Sequence, residues 1–279
     1  MKKSVLIISV LFLSVIIGFY GCAKEESESA AELTTAASDD AVSEKLIEDA
    51  FSQVDKYGSE NLAKTVLESE ECTAVVTVSF PEQGKVFPRI ITVDFGTGCE
   101  SANGVTRKGK IKISLAGSFF NVNGTRVVTF EDYYVNDFKI EGTKTITNTG
   151  YNDKQQPQRT IALVGGKVTF PDGETVITRE VAHTKTWVEG STTPFNITDD
   201  VWQISGTVTG KTAKGKVYNN TILEPLQLSF GCKHINQGKL QITTENGTAT
   251  INYGDGTCDA KATISINAGE AKEFNLRNW

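Results

Sequence analysis

Histidine, methionine and proline are nearly missing from this chain, with two, one and six residues among 279. Neither histidine has a second one at metal-ligand spacing. No Gly-x-Ser-x-Gly, phosphate-binding glycine loop or Cys-x-x-Cys pair occurs, so enzymes recognised by those spacings are not indicated. Acid–base chemistry is left to carboxylates such as Asp94, Glu131, Asp132, Asp199, Asp200, Asp255 and Asp259. Spacing along strands does not say whether two of them converge as glycoside hydrolysis needs. Basic residues are also short, 28 against 34 acidic ones, and form no stripe, which removes nucleic acid from the expected partners. His183 and His234 each stand in an alternating stretch close to a lysine, the setting of a solvent-facing sheet position.

Long apolar runs are scarce too. Only Val5 to Ile17 qualifies, and it falls short of the roughly 20 residues of a transmembrane helix. Behind Lys2 and Lys3 it has the form of a secretory signal. Gly21-Cys22 follows, and this junction resembles the lipobox of bacterial lipoproteins, although Phe19 and Tyr20 are bulkier than the residues usual there. The resemblance implies that residues 1–21 are cleaved as a signal peptide and that Cys22 is acylated, making the membrane a partner through a lipid anchor. Between Cys22 and Ala50 two lysines face nine carboxylates, so the acidity behind the net charge of −6 is local. Such a polar, Ser/Ala-rich tract buries little apolar area and reads as a flexible tether over 22–38. Lys24-Glu25-Glu26 resembles the export signal that sends Bacteroidota lipoproteins to the outside of the outer membrane. Outer-membrane localisation, facing the cell exterior, is the expectation.

Residues 39–279 read as a single domain. Ser38-Asp39-Asp40 supplies a cap and acidic first turn, and Leu46, Ile47, Ala50, Phe51 and Val54 fall at helical spacing, which predicts one short helix over about 39–55. From Cys72 the period changes to two, as in Lys110-Ile111-Lys112-Ile113-Ser114-Leu115 and Thr248-Ala249-Thr250-Ile251-Asn252-Tyr253. Asn123-Gly124, Asp172-Gly173 and Asn246-Gly247 punctuate the runs as hairpin turns. No second long helix is available for parallel crossovers. The predicted fold is therefore all-β, an antiparallel meander of about 9–11 strands forming a sandwich or barrel-like sheet. The terminal Phe274-Asn275-Leu276-Arg277-Asn278-Trp279 resembles the last strand of an outer-membrane barrel, but the strands carry Thr and Lys opposite the apolar face rather than a lipid-facing band.

Four cysteines remain besides Cys22, and an internal repeat accounts for them. Cys72 to Cys99 and Cys232 to Cys258 have nearly equal spacing, "ITVDFGTGC" aligns with "TINYGDGTC", and an alternating strand follows each. The unit spans 72–117 and again 232–269. Each cysteine pair brackets a hairpin, which brings both ends onto adjacent strands within disulfide reach. Cys72–Cys99 and Cys232–Cys258 are the predicted bonds, in the oxidising compartment that export implies. A Zn(Cys)₄ site would prefer short Cys-x-x-Cys pairs, and a Ca²⁺ loop at Asp255-Gly256-Thr257-Cys258-Asp259 lacks the usual ligand pattern. No cofactor or metal is expected.

The stretches "DFGTGCESANGVTRKGKIKIS", "EDYYVNDFKIEGTKTITNTG" and "YGDGTCDAKATISINAG" resemble a family of uncharacterised Bacteroidota outer-membrane lipoproteins, all-β after a lipobox and acidic tether. The resemblance implies an address and no activity. Aromatics supply the remaining lead: Tyr133, Tyr134, Trp187 and Trp202 are candidate residues for a sugar-stacking or apolar-ligand surface. The leading expectation is a non-catalytic lipoprotein with a binding or structural role toward a glycan or protein. A carrier of a lipid or other apolar ligand in a barrel cavity comes next, and a carboxylate-dependent hydrolase last.

Overall fold

The computed structural model describes residues 28–51, 53–54, 72, 74–101, 104–193, 196–232 and 234–276. The signal at 1–21, Cys22, Lys24-Glu25-Glu26 and Trp279 lie outside the described residues.

Alternating residues and turn dipeptides produce fourteen strands among the described residues, more than the 9–11 expected. They are β1 Val75–Ser79, β2 Arg89–Asp94, β3 Cys99–Glu100, β4 Thr106–Leu115, β5 Thr125–Val135, β6 Phe138–Tyr151, β7 Pro157–Thr169, β8 Val176–Glu189, β9 Val201–Lys211, β10 Val217–Ser229, β11 Gln237–Thr244, β12 Gly247–Asp255, β13 Lys261–Ile266 and β14 Lys272–Asn275. The excess comes from very short pieces such as β3, whose two residues carry no readable period. All pair antiparallel in chain order, with β3 attached to β4 off the main path. The path runs from edge β1 to edge β14 without closing, so the fold is an open all-β meander rather than a barrel.

Glycine-containing irregularities interrupt the strands where they bend. The β4–β5 register shifts between Lys108 and Lys110; Gly109 there has φ +84°, and a Cβ would stand 1.9 Å from the Asp132 carbonyl oxygen. On β9, Gly206 has φ +124° and brings its backbone so near β8 that a Cβ would stand 2.0 Å from the Ala182 oxygen. Bulges of this kind increase local twist and curvature, and a sheet with this many strands has to curl.

One helix lies against the sheet, and it is far longer than expected. Helix α1 covers 28–51 and continues at 53–54, so the flexible tether assigned to 22–38 is incorrect from residue 28 onward. Its inward stripe comprises Ser29, Leu33, Ala36, Asp40, Ser43, Ile47, Ala50 and Val54, alternating steps of three and four, joined by Phe51. The stripe exists, but apart from Leu33 its first half is made of small and polar residues, which composition reads as solvated chain. Ile47, Ala50, Phe51 and Val54 join a core cluster from β1 to β7, while Leu33 and Ala36 join a second from β9 to β13. Acidic side chains pin the helix to the sheet. Asp49 accepts from Arg107 Nε and Nη2 at 3.0 and 2.6 Å, Glu48 meets Lys144 at 2.8 Å, and Asp39 accepts from the Ala213 amide at 2.7 Å.

Both predicted disulfides are in place, with Cα–Cα separations of 5.1 Å for Cys72–Cys99 and 5.7 Å for Cys232–Cys258. Each staples the hairpin it brackets, β1–β2 in one case and β11–β12 in the other. Opening Cys232–Cys258 by double replacement with alanine should remove about 3–4 kcal/mol through the released loop entropy. Urea unfolding monitored by circular dichroism checks this; an unchanged midpoint contradicts it.

In a meander the connections alternate between the two ends of the sheet. One end carries β1–β2, β4–β5, β6–β7, β8–β9, β10–β11 and β12–β13; it is the long-loop end. The other, the turn end, carries β5–β6, β7–β8, β9–β10 and β11–β12. Helix α1 is bonded close to the turn end, at Arg107, Ala213 and Asn246.

Candidate functional site

A cavity of about 330 Å³ lies between α1 and the middle strands. Asp40, Glu44, Ile47 and Glu48 of α1 form one wall. Inward residues of β7 to β11 form the other, among them Ile161, Leu163, Ile204, Leu226, Leu228 and Leu240. Period two explains the facing: Ile161 pairs with His183 and Leu163 with Val181, so all four point to the same side. The lining runs from Arg179, Val208 and Asn220 beneath α1 to Lys185 and Leu228 near the long-loop end.

A buried polar knot closes the cavity on the α1 side. Asp40 accepts from Tyr218 Oη at 2.9 Å and from Asn220 Nδ2 at 2.7 Å, and it forms an ion pair with Arg179 Nη1. Arg179 also donates to the Asp40 carbonyl at 3.2 Å and lies 3.6 Å from Glu44. Burial, with the Asp40 charge beside it, pushes the Tyr218 hydroxyl well above its ordinary range, so it stays a donor.

His183 faces this cavity rather than solvent, which corrects the solvent-facing expectation. Stepping by two from Arg179 through Val181 puts His183 on the inner face. Burial drives its pKa down to about 4, with Arg179 and Lys144 adding like-charge repulsion and Glu48 opposing. A histidine lowered on folding, from about 6.5, binds fewer protons in the native state between pH 4 and 6.5. Stability is then fully present above about pH 6.5 and falls as pH drops toward 4. Replacing it, as in His183→Gln, should flatten that part of the stability–pH curve, measured by urea unfolding at stepped pH. A parallel curve for both proteins contradicts the assignment.

The four aromatic candidates separate into two places. Tyr133 is fully buried on β5, with its ring 5.5 Å from Phe130 and 5.8 Å from Phe95, so it is a core residue and not a ligand contact. Tyr134 lies at the turn end beneath Lys108 Nζ, 4.2 Å from its ring centroid. Trp187 and Trp202 are a cross-strand pair at the long-loop end, stacked at 4.9 Å and 14°. Asp200 fixes Trp187 by accepting from Nε1 at 3.1 Å. Arg159 and Lys185 both stand 4.8 Å from the Trp202 centroid. The Trp202 ring is therefore covered already, and stacking a sugar on it requires displacing a neighbour. His234 borders a smaller hollow with Ile251, Tyr253 and Phe274.

The carboxylates named from sequence fall in three regions. Asp94 and Glu131 pair with Lys110 and Lys112 at 3.3 and 2.5 Å, and Asp132 pairs with Lys139 at 3.4 Å. Asp199 accepts from Thr193, as Asp200 does from Trp187. Asp255 accepts from Thr257 and Asp259 from the Lys261 amide. Among the described residues no group of three His, Cys, Asp or Glu is arranged to hold a metal. The apolar wall of the cavity is not legible in any single strand, because its members come from five strands and are joined only by register. Compared with known proteins, the chain matches no family model, no curated protein and no solved structure.

Proposed function

We propose that this chain is a lipid-anchored envelope lipoprotein with a non-catalytic binding role, held through Cys22 on the outer membrane and facing the exterior. Its ligand is apolar and sits between α1 and the sheet, which makes the carrier reading the preferred form of that role. One observation carries this choice: the cavity, whose wall of Ile161, Leu163, Ile204, Leu226 and Leu228 is larger than close packing leaves in a core. Its volume is at the low end of the roughly 300–1,000 Å³ typical of ligand pockets. The anchor rests on the Lys2–Cys22 pattern and its lipobox resemblance.

Two measurements test the proposal. Protease treatment of intact cells should shave the protein, and mass spectrometry should find the mature amino-terminal peptide beginning with acylated Cys22. An unmodified Cys22 overturns the anchor, and a protected protein overturns the exterior orientation. Organic extraction of the purified protein should release a stoichiometric apolar molecule; a protein that neither releases nor takes up any such molecule overturns the binding role.

A further inference from the structure

The charged side chains that line the cavity balance one another. Asp40, Glu44 and Glu48 are matched in number by Lys144, Arg179 and Lys185. Arg179 is held by Asp40 and Glu44, Lys144 by Glu48, and Lys185 is engaged at the Trp202 ring. A ligand with a net charge would enter without a free counter-charge, and an unmatched ion in apolar surroundings is costly. The lining therefore suits an uncharged molecule.

Two polar groups of the lining are left over. Among the described residues the His183 imidazole makes no hydrogen bond. With its pKa lowered to about 4 it is neutral at pH 7, and its ring offers one donor and one acceptor. Asn220 is the second, a lining residue only 2% exposed. Its Nδ2 donates to Asp40 at 2.7 Å. A carboxylate only accepts, so that bond fixes which way round the amide stands, and its Oδ1 has no hydrogen-bond partner. A buried carbonyl left unsatisfied costs stability, which a donor brought by a ligand would restore.

Register places the two residues near each other. Val208 of β9 pairs with Val181 on one side and with Asn220 on the other. His183 is the next inward residue after Val181, two strands from Asn220. Two strand spacings amount to about 10 Å, a gap that the two side chains and one bridging oxygen can cross. The aliphatic wall begins beside them and runs through Ile204, Leu226 and Leu228.

We propose that the cavity binds an uncharged single-chain amphiphile with a hydroxyl head, which accepts from the His183 imidazole N–H and donates to Asn220 Oδ1 while its chain lies along Ile204, Leu226 and Leu228. This rests on the reading of the cavity as the ligand site. A hydroxyl fits both leftover groups because it accepts and donates at one atom. An ether has no proton for Asn220, and a carboxylate brings a charge that the lining does not balance.

The test uses the mature chain from residue 22 onward with Cys22→Ser, which retains every described residue, and displacement of the neutral fluorophore N-phenyl-1-naphthylamine. Dodecan-1-ol should displace it at about tenfold lower concentration than dodecyl methyl ether, a difference of about 1.4 kcal/mol. Dodecanoate at pH 7 should also be weaker than the alcohol. His183→Phe should abolish the preference for alcohol over ether while the ether binds as before. Nuclear magnetic resonance of the unaltered residue guards against a variant that fails to fold. The chain has two histidines, and dodecan-1-ol should shift the ring resonances of His183 and leave those of His234 in place. Equal displacement by alcohol and ether with His183 unmoved overturns the hydroxyl assignment and leaves the carrier reading standing. Dodecanoate binding tighter than the alcohol overturns the uncharged head. A protein that binds neither the fluorophore nor any of the three chains overturns the carrier reading as well.

Discussion

Asp40→Ala should cost about 3–5 kcal/mol of folding stability, the range for removing one partner of a buried ion pair. The Asp40 residue is 8% exposed and Arg179 is 4% exposed. Without the carboxylate, Arg179 keeps a charge in a buried site, and Tyr218 Oη and Asn220 Nδ2 lose the acceptor they share. Removing both charges is a different experiment. Asp40→Leu with Arg179→Met leaves no isolated charge and should lose less than the sum of the two single changes. Urea unfolding of the four proteins in a double-mutant cycle measures this, and additive losses contradict the coupling.

Phe51→Ala should have a similar effect, about 3–5 kcal/mol, through the cavity left in a packed core. Phe51 is 5% exposed, lies 5.9 Å from the Phe130 ring, and has Lys144 Nζ 3.7 Å from its ring centroid. It also anchors the half of α1 that packs on β1 to β7. The loss should therefore spread to the Glu48–Lys144 and Asp49–Arg107 pairs, both of which need the helix in register. Hydrogen exchange is the direct measurement: amides of 44–51 should lose protection more than those of β9 to β12. Uniform loss across the chain contradicts a local anchoring role.

The β framework was legible because its signals are local. Alternation in residues such as Ile111, Ile113 and Leu115 needs no distant partner to be read, and the repeated cysteine hairpin selected both disulfides. Helix α1 was legible only where its stripe is large and apolar, at Ile47, Ala50, Phe51 and Val54. Its first half is held by groups far along the chain, Asn246 for Glu32, Ala213 for Asp39, and Arg179 with Tyr218 for Asp40. Nothing in the residues around Asp39 and Asp40 says that those partners arrive. An acidic run that looks self-repelling is stable once a sheet with matching cations is built against it. For the cavity the difficulty was different: the register that aligns Ile161, His183 and Ile204 depends on long strands with irregular pairing.

Pairing strictly by chain order has a kinetic consequence. Each strand from β4 to β14 meets a neighbour that has just preceded it, so the sheet closes short loops and has the locality associated with quick formation. Helix α1 is the opposite case. It is made first, yet Lys144, Arg179 and Asn267 lie 96, 139 and 238 residues away from their partners on it. Nearly all the long-loop entropy of folding therefore falls on one event, the seating of the earliest described element on a sheet finished long after it.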